Sequence, residues 1–125
     1  MELTAVRFSE WLDRYFRAWR SNDPGEVASL FAENAVYFYG PFKEPARGRE
    51  AIVARWVAGS ADQADVACDH EVLATHRDLG VAHWHVRFRT QSGVTELDGV
   101  LTVRFNSSLE CVEHREWYSR RDEHT

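Results

Sequence analysis

The hydrophobic residues of this chain change their spacing once, and that change limits the folds open to it. Before residue 60 they recur at three- and four-residue steps, the period of helices with one buried stripe; from about residue 65 to 121 they alternate, as in strands. Phe8, Trp11, Leu12, Tyr15, Phe16 and Trp19 predict an amphipathic helix over 4–21, stopped by Ser21-Asn22-Asp23. Asp23 before Pro24, with Glu26 three residues on, has the pattern of an N-cap and capping box; Val27, Leu30 and Phe31 then supply the buried side of a short helix over 24–31. The alternating residues 35–39 read as a strand ended by Gly40-Pro41, and Gly48 opens a third helix over 49–58, with Ile52 and Trp56 one turn apart. Four long strands follow over 65–78, 81–91, 95–106 and 110–121, with turns at 78–80, 91–93 and 106–108. Three helices and then a meander predict an α+β domain, its helices packed on one face of a curved antiparallel sheet.

At 125 residues the chain fits one domain. Net charge is -5, with the two signs mixed along the chain; nearly all of the fifteen basic residues are arginine, Lys43 being the lysine, and they form no stripe. That distribution gives no electrostatic footprint for nucleic acid. The N-terminus carries acids where a signal peptide is basic, and no apolar run reaches the length of a membrane span, so no membrane partner and a cytoplasmic location are predicted. Cys68 and Cys111 lie far apart without a CxxC pair, which favours free thiols in a reducing compartment over a disulfide.

Tyr15, Trp19, Tyr37, Tyr39 and Trp56 crowd the first half at positions that turn inward. Each such ring brings a polar atom that wants a partner when buried, which points to a pocket lining rather than a plain core. The order of elements, with the Tyr15…Trp19…Asp23 run, LFAENAVYFYGP at 30–41, ARGREAI at 46–52 and EHREWYSRR at 113–121, resembles the nuclear transport factor 2-like superfamily and, within it, the SnoaL-like branch that includes polyketide cyclases and ketosteroid isomerase. The resemblance spans nearly the whole chain. It implies a cone with a pocket between concave sheet and helices, and a homodimer through the outer sheet face; it specifies chemistry poorly, because the fold hosts enzymes, binding modules and transport factors alike. Set against ketosteroid isomerase, Tyr15 matches the oxyanion-binding tyrosine, Tyr39 replaces the general-base aspartate, and Leu101 replaces the protonated aspartate of the oxyanion hole. Both carboxylates of that isomerisation are missing, so steroid isomerase activity is not expected.

Aligned on the same relative, the last strand turns His114, Glu116 and Tyr118 inward; the opposite parity presents Arg115 and Trp117 instead, an anion clamp beside an aromatic wall. A His and a Glu two apart on one strand face suit acid/base chemistry, with His114 moving a proton, Glu116 orienting it, and Tyr15 or Tyr39 polarising a carbonyl; the same pair equally suits a plain hydrogen bond to each other or to an arginine at the rim. The predicted cavity lining is Tyr15, Trp19, Phe31, Tyr37, Tyr39, Phe42, Trp56, Trp84, Val86, Leu101, Val103, His114, Glu116 and Tyr118, with His70 interrupting an apolar row that faces pocket or core. His83 and His85 fall on the other strand face and suit solvent or a dimer contact; as a metal pair they lack a third ligand. Gly40, Gly48 and Gly99 are isolated, without a phosphate loop, dinucleotide fingerprint or nucleophile elbow, so no cofactor and no metal are predicted. The expected partner is a small, largely apolar or aromatic ring molecule. Two roles fit it: a cofactor-independent cyclase, isomerase or hydratase, or a non-catalytic binding or accessory module of the same fold. A protein-only scaffold with a self-filled pocket is the third.

Overall fold

The computed structural model describes residues 1–124. Helix α1 (Ala5–Ser21) starts at Thr4, whose hydroxyl accepts from the Arg7 N–H at 3.1 Å, and buries Phe8, Trp11, Leu12, Tyr15, Phe16 and Ala18 along one side. It stops at Asn22, which takes a left-handed conformation (φ 51°) and donates its N–H to the Ala18 carbonyl at 2.9 Å, a geometry that asparagine tolerates better than most residues. Helix α2 (Pro24–Ala28) is capped by the Asp23 carboxylate, which accepts from the Glu26 N–H at 3.0 Å.

The helix predicted over 24–31 is shorter than its pattern. Leu30 and Phe31 are buried, but by strand pairing: the Leu30 carbonyl accepts from the Cys111 N–H at 2.9 Å, and Phe31 opens strand β1 (Phe31–Phe38), four residues before the predicted start. One helical turn cannot outweigh a ladder supplied from the far end of the chain. Strand β2 (Ala46–Arg47), which has too few residues to show a period, pairs with β1 at Val36 and Tyr37. Helix α3 (Arg49–Gly59) follows Gly48, which holds φ 89°, and buries Ile52 and Trp56.

Strands β3 (Ala64–His76), β4 (Leu79–Thr90), β5 (Gly93–Phe105) and β6 (Cys111–His124) form the meander, and the six strands lie in the order β2-β1-β6-β5-β4-β3. Four of the five pairings are antiparallel; β1 joins β6 in parallel, so the sheet is mixed rather than wholly antiparallel. The inner face carries Ala82, Trp84, Val86 and Phe88 from β4 and Leu97, Leu101, Val103 and Phe105 from β5, all buried. Register shifts in β3 and β6 bend the sheet. Helix α1 packs on β3 and α3 on β1. Trp11 ties the layers together: its ring meets Phe105 edge-on at 5.2 Å and stacks on Tyr15 at 5.3 Å, and its N–H donates to the Leu30 carbonyl at 3.3 Å. No described helix is long and apolar enough to cross a membrane.

Gly99 of β5 faces Tyr118 of β6, and a Cβ there would stand 2.0 Å from the Trp117 carbonyl oxygen. That is backbone, which cannot swing aside. Gly99→Ala is therefore expected to part β5 from β6 and cost about 3 kcal/mol, read as a lowered urea midpoint; an unchanged midpoint would show that the two strands yield.

Candidate functional site

Between the inner sheet face and helices α1 and α3 lies a cavity of about 260 Å³. Helix α1 contributes Tyr15 and Trp19, β1 and the residue after it Tyr37 and Tyr39, and α3 Arg55, Trp56 and Gly59; Ser60, Gln63, Phe88, Leu97, Glu116, Tyr118 and Arg120 complete the wall. Gln63 is held by Trp19, whose indole N–H donates to its side-chain oxygen at 2.7 Å.

A hydrogen-bonded chain crosses the floor. The Tyr15 and Tyr37 hydroxyls are 2.6 Å apart, and the Tyr37 hydroxyl donates to Glu116 Oε1. Burial pushes the Glu116 carboxyl up from 4.5 to about 7, against the opposing pull of the Tyr37 hydrogen bond and of the Lys43 and Arg55 charges. Burial, and then the Glu116 charge, push Tyr15 and Tyr37 well above the usual phenol value; burial does the same for Tyr39, opposed by Arg55. At neutral pH the three tyrosines are hydroxyl donors and Glu116 stands at its midpoint. Two further polar atoms on this wall, Tyr39 Oη and Trp56 Nε1, are buried without a partner among the described residues.

His114 lies elsewhere than predicted. It is 0% exposed and off the cavity wall, behind Tyr37 and Tyr15, with ring centroids 4.0 and 5.3 Å away and the planes nearly parallel. Its Nδ1 is 3.8 Å from Glu116 Oε1, beyond hydrogen bonding, and neither ring nitrogen has a partner among the described residues. Burial lowers its pKa to about 3, so it stays neutral. The pairing of roles is thus reversed: Glu116 is the group that titrates near neutrality, and His114 is a flat neutral backing for Tyr37. β6 turns His114 and Glu116 to the buried side and leaves Trp117 44% exposed on the other.

Of the other predicted lining residues, Tyr15, Trp19, Tyr37, Tyr39, Trp56, Glu116 and Tyr118 share the cavity wall. Phe31, Trp84, Val86, Leu101 and Val103 are buried beneath or beside it, as core rather than wall; Trp84 lies under Trp19 and Tyr118, at 5.8 and 5.7 Å. Phe42 is fully exposed at 102%, because the chain leaves the sheet at Gly40 and only returns at Ala46. His70 packs on Phe16 at 5.2 Å, 3.4 Å from Asp13, under α1 and outside the cavity. The prediction missed Arg55, Gly59, Ser60, Gln63, Phe88, Leu97 and Arg120. Phe88 was within reach, since it shares a strand face with Trp84 and Val86; nothing marked Arg55, which neighbours Trp56 yet reaches the wall as an exposed residue. On the outer face, His83 lies between Glu71 (3.3 Å) and Asp98 (2.9 Å), and His85 between Asp69 (3.3 Å) and Glu96 (2.5 Å).

A carboxyl whose pKa rises from 4.5 to about 7 on folding contributes stability that is fully present below 4.5 and lost as pH climbs through 7, because the native state holds that proton more tightly than the unfolded chain. Glu116→Gln, which mimics the protonated form, should match the wild type in stability at pH 4 and exceed it by on the order of 3 kcal/mol at pH 8. Chemical denaturation at the two pH values checks this; equal stabilities at pH 8 would mean that the carboxylate is already well solvated.

The model of the SnoaL-like domain family matches residues 12–114. No curated protein matches by sequence. Among solved structures, the chain is similar to SalBIII, an epoxide hydrolase/cyclase-like enzyme of pyran ring formation in the polyether salinomycin, with 14% identity and a TM-score of 0.77 over 92% of this chain and 95% of that one. It is also similar to RV0760c from Mycobacterium tuberculosis, with 16% identity and a TM-score of 0.83 over 98% of this chain and 100% of the other. At such identities the likeness is one of fold, the three helices on a curved, unclosed six-stranded sheet. With the family model matching over most of its length, the chain belongs to the SnoaL-like domain family.

Proposed function

We propose that the protein is a cofactor-independent acid/base enzyme of the cyclase, isomerase or hydratase kind, acting on a small, largely apolar ring-containing molecule. The observation that carries the reading is Glu116: a buried carboxyl on the cavity wall, poised near pH 7, at the end of a two-tyrosine hydrogen-bond chain. As carboxylate, Glu116 accepts from Tyr37, which in turn accepts from Tyr15, and its second oxygen is left to take a proton from the substrate. As carboxylic acid it gives that proton back. Tyr39 Oη and Trp56 Nε1, the donors without partners among the described residues, suit an oxygen on which negative charge develops. The cavity lies just under the usual range for ligand sites, about 300–1,000 Å³, which suits a molecule of one or two rings. The part that SalBIII plays in pyran ring formation agrees with ring chemistry in such a fold. Two free cysteines, Cys68 and Cys111, accord with a cytoplasmic setting.

A thermal-shift screen of ring ketones, cyclic ethers and hydroxy-epoxides, followed by NMR of the binders for turnover, tests the reading. With a substrate in hand, Glu116→Gln should lower kcat about 10²- to 10⁴-fold while binding persists. The pH profile of kcat/KM should bend near 7 in the wild type and His114→Phe, bend at higher pH in Tyr37→Phe, which loses a hydrogen bond that lowers Glu116, and lose the bend in Glu116→Gln. A bend near 7 that survives Glu116→Gln would remove Glu116 from the chemistry.

We also propose that a second copy covers the outer sheet face, where Trp117 stands 44% exposed. Sedimentation velocity should then give a dimer at micromolar concentration and a monomer for Trp117→Arg; a wild-type monomer throughout refutes the pairing.

A further inference from the structure

We infer that the molecule this cavity takes is an anion: a ring compound bearing a carboxylate, the carboxylate seated at the mouth between Lys43 and Arg55, the ring running inward past Tyr39 and Trp56 toward Glu116. The inference rests on the reading of the cavity as a ligand site and adds the charge class of the ligand. The chain carries a net charge of -5 and a single lysine, yet that lysine bonds the wall residue Tyr118, Arg55 is itself part of the wall, and both charges act on Glu116. Neither hangs free. Lys43 Nζ donates to the Tyr118 hydroxyl at 2.9 Å and lies 5.2 Å from the centre of its ring; the Arg55 guanidinium sits 3.9 Å over the Tyr39 ring and donates to the Glu44 carbonyl at 2.7 Å. Tyr118, Tyr39 and Arg55 are themselves cavity wall, so both cations are held in place by the surface a ligand would touch.

Their charges are also unspent. Among the described residues neither has a carboxylate within 4 Å, whereas the third cation of the wall, Arg120, is gripped by both oxygens of Asp122 at 3.1 Å. An ammonium has three donors and a guanidinium five, and each has used one. A carboxylate accepts from both without further help. Tyr39 and Trp56 are both wall residues; the Tyr39 ring is held between Tyr37, stacked on it at 4.0 Å, and the Arg55 guanidinium at 3.9 Å, so a flat ligand meets it at its edge.

The seat is electrostatically coupled to the floor. The groups facing Glu116 are Tyr15 from α1, Tyr37 and Tyr39 from β1 and its end, His114 from its own strand, and Lys43 and Arg55 at the mouth; of these, the Tyr37 hydrogen bond and then the two cations hold its pKa down. A carboxylate placed on Lys43 and Arg55 cancels the pull of the cations, and Glu116 then takes up a proton. Arrival of an anionic ligand thereby arms the acid.

Calorimetry with 2-naphthoate and its neutral counterpart 2-naphthamide tests this at pH 7 and low salt. The wild type should bind the acid about tenfold more tightly than the amide, and the double variant Lys43→Gln/Arg55→Gln should bind the two alike. Binding of 2-naphthoate should also draw protons from the buffer, seen as a heat that changes between phosphate and Tris; Glu116→Gln should lose the proton uptake and keep the preference for the acid. Equal affinities in the wild type, or a preference that survives the double variant, overturn the anion seat and leave the cavity reading standing. If neither compound binds, both fall. A Glu116→Gln enzyme that turns over normally while the preference for the acid persists would overturn the catalytic reading alone.

Discussion

The parallel pairing of β1 with β6 is the constraint on which the rest of the structure depends. It joins segments about 80 residues apart and, through the register Tyr37↔His114, brings the Tyr37 hydroxyl to the Glu116 carboxyl two residues further along. A slip of one residue would turn one of the two side chains to the other face of the sheet, away from its partner. The same pairing draws Phe31 out of a helical pattern and into a strand, and so opens the space under α1 in which Tyr15 reaches Tyr37. Fold and floor of the cavity are thus consequences of one ladder.

Placing a carboxyl there is costly, and the surroundings show how the cost is contained. Glu116 is buried and raised to about 7, Tyr37 gives it a hydrogen bond, and two cations at the mouth act on it from a distance. His114 contributes no charge; burial holds it neutral, and its ring packs against Tyr37 like another aromatic. An imidazole that titrated at this position would be a second group exchanging a proton beside Glu116. Kept neutral, it leaves Glu116 as the single carboxyl of the wall with a proton to exchange near pH 7, and the aromatic stack of Tyr15, His114 and Tyr37 limits the freedom of the hydroxyls that point at it.

Much of this was legible in the chain. The α1 stripe, the Asp23 cap, the Gly48 start of α3 and the four-strand meander follow from local spacing and turn chemistry, and they are found within a few residues of the predicted bounds. Local rules fail where pairing is long-range: α2 ends early, β1 starts early, and β2 is too short to have a period. The wall divides in the same way. Tyr15, Trp19, Tyr37, Tyr39 and Trp56 are amphipathic rings whose positions alone mark them as inward-facing, and they line the cavity. Val86, Leu101 and Val103 point inward too, but inward is not the same as cavity-facing; which inward residue is wall and which is core depends on how the helices cover the sheet.

Sequence by itself determined the order of every element but β2, the α+β class, the family and the crowd of tyrosines and tryptophans turned toward one space, because each rests on hydrophobic period, turn residues or ring chemistry within a short stretch. Tertiary structure alone decided which of two neighbours on β6 titrates. His114 and Glu116 are equally inward and equally ionisable as residue types, but one is sealed behind two rings without a partner among the described residues and the other sits on the wall with Tyr37 bonded to it and two cations in reach. Solvation and neighbouring charge set an acid constant, and both belong to the surroundings that folding assembles rather than to the residue.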